Sequence, residues 1–153
     1  MSSSPADDHP NVRVPPPVFF FAILALAGVL EYIVRLDHPK GPFPLRVFLA
    51  LLLLALAGYL ALHAILVLRK HRTSIDPRKP ATQIVEGGPF TVSRNPMYLS
   101  LLLVAVSLAV ALASFWFVMA TVALWLLLDR FVVIPEEAYL EQKFGEQYLE
   151  YKC

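Results

Sequence analysis

Two pieces of this 153-residue chain carry side chains whose types and spacing could do chemistry: GGPFTVSRNPMY at 87–98, and the paired acids Glu136 and Glu137. Pro96 suits the first turn of a helix, and Asn95 before it suits the N-cap. Arg94 then lies beside the positive end of a helix dipole, which is unfavourable unless something anionic is close. The free N–H groups of a helix start also attract anions. Arg94 and that helix start could together hold a carboxylate or a phosphate. Glu136 and Glu137 follow Pro135 at the end of an apolar run, and partly buried carboxylates favour a cationic partner. If the two pieces meet, they offer a cation, an anion and a helix N-terminus, a set that fits a zwitterionic amino acid. A plainer reading is also open. Gly87, Gly88 and Pro89 make a turn, Tyr98 is an interfacial aromatic, Arg94 snorkels to headgroups, and the two acids support a helix start.

The elements that must position these residues are apolar runs. The chain is 58% hydrophobic and 16% charged with a mean hydropathy of +0.61, against roughly half apolar and a quarter charged for a soluble domain. Runs at about 18–36, 45–68, 97–113 and 115–134 are each near the ~20 residues that cross a bilayer, and backbone inside lipid must be helical to satisfy its own polar groups. The expected fold is an all-α integral membrane protein of four transmembrane helices. Only Ser114 is clearly polar between the last two, so they should form a tight hairpin. Leu140, Phe144, Tyr148 and Tyr151 recur at helical spacing among Glu141, Glu146 and Glu150, which predicts an amphipathic C-terminal helix over 136–151.

Residues 69–96 carry Arg69, Lys70, Arg72, Arg78, Lys79 and Arg94, whereas the Ala113–Ser114 turn carries no cation. The positive-inside rule puts that loop in the cytosol, and with four spans both termini as well. The first 17 residues are polar, proline-rich and without signal-peptide features, and are expected to be a flexible arm. Residues 18–153 form one domain.

Other groups are weighed more plainly. Glu31 and Asp129 lie near span ends with Arg35 and Arg130 close by, and are read as snorkelling or paired. His63 is read as a hydrogen-bonded core residue, and His9, His38 and His71 fall in loops, so no metal site is expected. The lone Cys153 excludes a disulfide framework and a cysteine metal site, lacks a lipidation box, and is read as inert. A net charge of +1 names no nucleic-acid partner.

The stretch 72–151 resembles the isoprenylcysteine carboxyl methyltransferase family and the related phospholipid N-methyltransferases, in the variant that carries RNPMY. The likeness rests on TSIDPRKP (73–80), GGPFTVSRNPMY, the hairpin, and EEAYLEQKFGEQYLEY (136–151), in that order. It implies a membrane S-adenosylmethionine-dependent methyltransferase with its pocket at the cytosolic ends of the last spans. Gly88, Arg94, Asn95, Pro96, Tyr98, Glu136 and Glu137 would bind the cofactor, with Arg94 and Glu137 acting in catalysis. The eukaryotic prenyl-protein enzymes carry histidine where Asn95 stands, so Asn95 would position rather than take a proton. The acceptor would be lipid-soluble and reach the site from the bilayer, either a prenylcysteine-like carboxylate or a phospholipid amine, and a bacterial cell membrane is the expected location. Two other readings are a lipid or sterol reductase using a nicotinamide cofactor and a non-enzymatic membrane scaffold.

Overall fold

A computed structural model describes residue 10, residues 12–34, residue 36 and residues 41–152. The expectations for His9, Arg35, His38 and Cys153 lie outside the described residues. Among the described residues every regular element is helical: α1 Pro16–Ile33, α2 Phe43–Lys70, α3 Pro96–Leu112, α4 Phe115–Leu128, a π turn Asp129–Val133, α5 Ile134–Phe144 and α6 Glu146–Lys152, with a 3-10 turn at Gly88–Thr91.

Proline opens three of these helices. Pro16, Pro42 and Pro96 stand at or beside the first turns of α1, α2 and α3, where a missing N–H costs nothing and a fixed φ helps. The turn between α3 and α4 is short. Ala113 takes a left-handed conformation (φ 47°, ψ 50°), and the Ser114 hydroxyl caps α4 by accepting from the Phe117 N–H at 3.4 Å.

The helices pack in the order α2, α3, α4, α1. On α2, Ala50, Ala57 and Ala64 are buried at intervals of seven and let it lie close along α3. Small residues of this kind allow backbones to approach inside a bilayer, where the hydrophobic effect does not drive association. The pair is antiparallel, since Arg46 at the start of α2 donates to the Ala111 carbonyl near the end of α3 at 3.1 Å. Phe20 of α1 packs with Leu124, Leu128 and Val132, and Ala27 with Phe117 and Ala120, so α1 runs antiparallel to α4. The start of α1, the end of α2, the start of α3 and the end of α4 therefore share one end of the bundle. Large apolar side chains such as Phe21, Leu26, Leu51, Leu52 and Trp125 stay exposed, as suits a surface solvated by lipid.

Three helical stretches, Pro16–Ile33, Phe43–Lys70 and Phe115–Phe144, are long and apolar enough to cross a membrane. Helix α3 has 17 residues, rises about 25 Å, and is the shortest candidate of the four.

Three expectations are corrected. The amphipathic helix at 136–151 is not a separate element. Helix α4 continues through the π turn into α5 as one 30-residue stretch, which spans about 45 Å against a hydrocarbon core of about 30 Å, so an upright helix would carry its last turns clear of the bilayer. The chain breaks at Gly145 (φ 55°, ψ −127°) before α6. Pro135 thus sits inside a helix, where it lacks an N–H and crowds the carbonyl four residues back, and the wider π turn just before it absorbs that misfit. Dipole support for Glu136 and Glu137 fails as an explanation, because α5 continues α4 through the π turn and has no free N-terminus of its own. Finally, the N-terminal arm is packed at its inner end, with Val12 buried in the same cluster as Leu128 and Val132.

Candidate functional site

The site begins with a glycine turn. Gly88 has φ 64°, and a Cβ placed on it would come within 3.1 Å of Val67 Cγ2 on α2, so both backbone and space favour glycine. The 3-10 turn that follows presents the Phe90 carbonyl, which accepts from Tyr151 Oη of α6 at 2.8 Å. Ser93 Oγ accepts from the Asn95 N–H at 3.2 Å. Asn95 holds the N-cap position of α3, but its side chain makes no capping bond. It faces the cavities at the end of the bundle instead, which corrects the expectation of an Asn95 cap. Pro96 is buried at the first turn.

The long helix brings the acids to this turn. Arg94 Nη1 meets Glu137 Oε1 at 2.5 Å, which supplies the anion that the Arg94 position requires. Lys152 of α6 reaches the other oxygen, Glu137 Oε2, at 3.0 Å and Glu141 at 2.7 Å. Tyr98 Oη donates to Glu136 Oε2 at 2.8 Å. Tyr148 is 2% exposed. Its phenol is pushed up to about 12, first by burial and then by the Glu137 charge, with Arg94 pulling the other way. The ion pairs are partly open to solvent, with 40% of the Arg94 side chain and 18% of that of Glu137 exposed. Each then contributes about 0–1 kcal/mol to stability, which makes the cluster poor as a staple and easy to exchange for a ligand.

The loop after α2 folds over this cluster. Asp76 binds Arg78 through both carboxylate oxygens, at 2.9 and 2.8 Å, and the Arg78 hydrogen bond is the main reason its carboxyl is held below the ordinary value. The Ala81 N–H donates to Tyr139 Oη at 3.3 Å. Beneath lies a cavity of about 100 Å³ lined by Leu68, Ser74, Arg94, Glu137 and Tyr148 among others. A second of about 80 Å³ reaches Tyr98 and Glu136, and an open one of about 660 Å³ runs out past Glu86 and Glu150. All three meet at Phe90 and Arg94. A fourth, about 210 Å³, shares Asn95 and Tyr98 with this group but is walled by Leu99, Leu102, Trp125, Leu128 and Val133, with Asp129 at its side.

Gly88, Arg94, Asn95, Pro96, Tyr98, Glu136 and Glu137 thus lie together at one end of the bundle. Glu31 is elsewhere, at the far end, where it accepts from Ser114 Oγ. His63 bonds the Tyr59 carbonyl through Nδ1 at 3.0 Å, which gives the expected hydrogen bond, but it is only half-buried and not a core residue. Asp129 and Arg130 do not pair with each other; they line different cavities. Sequence reasoning missed Lys152, Tyr148 and Tyr151 as parts of the site. The signal was Gly145, whose positive φ turns α6 back over Arg94.

The chain is 38% identical over 56 residues to an uncharacterized protein of Haemophilus influenzae, a match that covers 37% of this chain and 89% of that protein. No solved structure matches it. Residues 45–147, which hold most of α2, all of α3, α4 and α5, and each of the site residues named from sequence, match the model of one family. The chain belongs to the phospholipid methyltransferase family.

Proposed function

We propose that this protein is an S-adenosylmethionine-dependent methyltransferase of the membrane, acting on a lipid amine, with its site at the Arg94–Glu137 cluster. The observation that carries this is the exchangeable ion pair between Arg94 and Glu137 at the meeting point of three cavities. An amino acid's carboxylate can take over Arg94 while its ammonium takes over Glu137, so neither charge is left alone. The cavity of about 100 Å³ is below the ~300 Å³ of a usual ligand pocket. The open space beside it, past Glu86 and Glu150, takes the rest of the ligand. The donor set therefore fits the amino-acid end of the cofactor.

The cofactor supplies an activated methyl group on a sulfonium. The residues of the chain orient the acceptor, exclude water and handle a proton. The groove walled by Leu99, Leu102, Trp125, Leu128 and Val133 suits an acyl chain reaching the site from the bilayer. Asp129 beside it favours an acceptor that carries a cation over one that carries a carboxylate. An ammonium must shed a proton before its lone pair can attack, and Asp129, which lines that groove, would receive it. Glu137 serves as an ion-pair partner instead, of Arg94 and Lys152 without ligand and of the cofactor's ammonium with it. The remaining contribution is proximity, since in-line contact can be worth several kcal/mol of barrier.

The test is transfer of a labelled methyl group by purified protein in vesicles. Phosphatidylethanolamine should be labelled, a prenylcysteine carboxylate should not, and Asp129→Asn should slow transfer by about 100-fold or more. Labelling of the carboxylate acceptor with Asp129→Asn fully active would refute the amine reading. No transfer to either acceptor by folded protein that also fails to bind the cofactor would refute the cofactor assignment.

A further inference from the structure

A cavity of about 470 Å³ lies at the same end of the bundle, lined by Arg13, Val14, Phe19, Arg130, Phe131 and Pro135. It shares no lining residue with the cavities at Arg94. Two arginines line it and, among the described residues, no acid does. Both arginines are exposed, and neither makes an ion pair or side-chain hydrogen bond among the described residues. Two cations that line one cavity repel each other, and an anion between them would relieve that. The wall is aromatic: Phe19 and Phe131 stack with ring centroids 6.0 Å apart at 28°, and Phe131 is 54% exposed. Arg13 stands three residues before α1 enters the apolar bundle, so the cavity lies at the level where helix gives way to headgroup.

We propose that this cavity is a binding site for the phosphate of an anionic phospholipid, separate from the methyl-transfer site. Arginine forks match phosphate oxygens in pairs, and the stacked phenylalanines with Val14 and Pro135 offer an apolar seat for the glycerol and upper acyl chain. Two cations with no acid among the described residues that line the cavity favour a lipid of net negative charge over a zwitterionic one, whose ammonium would be brought towards the arginines. The bound phosphate would tie the N-terminal segment, anchored by Val12 in the core, to the π turn that carries Arg130.

The test is native mass spectrometry of detergent-purified protein offered equal phosphatidylglycerol and phosphatidylcholine, together with thermal unfolding in nanodiscs of each lipid. The wild type should retain phosphatidylglycerol about tenfold better and unfold at higher temperature in its presence. Arg13→Gln/Arg130→Gln should lose both preferences, while Arg69→Gln/Lys70→Gln, at the end of α2, keeps them. A wild type with no preference for phosphatidylglycerol overturns the proposal whatever the variants do, and so does a double variant that keeps the preference. Inorganic phosphate that stabilises the wild type in phosphatidylcholine discs as strongly as phosphatidylglycerol does, with the effect lost in Arg13→Gln/Arg130→Gln, overturns the lipid source in favour of a free anion.

Discussion

Glu137→Gln separates a ligand site from a structural cluster. The glutamine keeps the shape and loses the charge. In the free protein Glu137 accepts from Arg94 at 2.5 Å and from Lys152 at 3.0 Å, with 18% of its side chain exposed and 40% and 36% of theirs. Pairs this open are worth about 0–1 kcal/mol each, and Lys152 keeps Glu141 at 2.7 Å. The expected loss of stability is therefore no more than about 1 kcal/mol. Binding responds more strongly. A hydrogen bond to a charged group is worth about 1.5–3 kcal/mol, and the variant no longer has to open the Arg94 pair, which returns about 0–1 kcal/mol. The net loss is about 0.5–3 kcal/mol, or roughly 2- to 150-fold in affinity. Calorimetry with S-adenosylmethionine and its demethylated product measures this, beside denaturation of the same samples. A Glu137→Gln protein that binds both ligands as the wild type does would refute the exchange of partners. One that loses several kcal/mol of stability would show the cluster to be structural.

Three further outcomes follow from the geometry. Gly88→Ala places a methyl 3.1 Å from Val67 Cγ2 at φ 64° and should cost about 1–2 kcal/mol in unfolding free energy; Val67→Ala in the same chain should restore only the steric part. Gly145→Ala, at φ 55° and ψ −127°, should cost about 1–3 kcal/mol. It should also displace α6, so that cofactor affinity falls although the substituted position lines none of the cavities at Arg94, as calorimetry on folded protein would register. The Asp76 carboxyl is held below its ordinary 3.8 by the Arg78 hydrogen bond, so its hold on the loop is complete above that pH and is lost as pH falls through the lower folded value. Nicking of the loop by pepsin should therefore be slower in wild type than in Asp76→Asn near pH 4, with the two rates converging towards pH 2; a ratio that does not change with pH would contradict the assignment.

Much of the fold was legible because lipid leaves the backbone few choices. Apolar runs between prolines gave the helices, and Ser114 gave the turn between the last two. Arg94 was legible as a charge in the wrong place for a helix dipole, and the structure answers it with Glu137. What was not legible depended on side chains far apart in sequence. Lys152 reaches Glu137 only because Gly145 reverses the chain. Val12 is one apolar residue in a polar arm, and nothing local shows that a groove beside Leu128 and Val132 awaits it. Asn95 reads as a cap by type, yet the cavities compete for its side chain.

The π turn explains why Glu136 reaches Tyr98. Leu124, Leu128 and Val132 are buried at steps of four, and Glu136 is the next step. In a regular helix of 3.6 residues per turn each step of four overruns by about 40°, so the 12 residues from Leu124 to Glu136 would drift by about 120°. The carboxylate would then leave the face that α1 and α3 cover. A π turn takes one extra residue into a single turn and so returns about 100° of that drift. Glu136 is left on the buried line, 2.8 Å from the Tyr98 hydroxyl. The same turn holds Asp129 against the groove beside Asn95 and Tyr98, and Arg130 against the cavity shared with Arg13. Periodicity counted at 3.6 hides this alignment, because the irregular turn that creates it has no composition of its own beyond the proline that follows it.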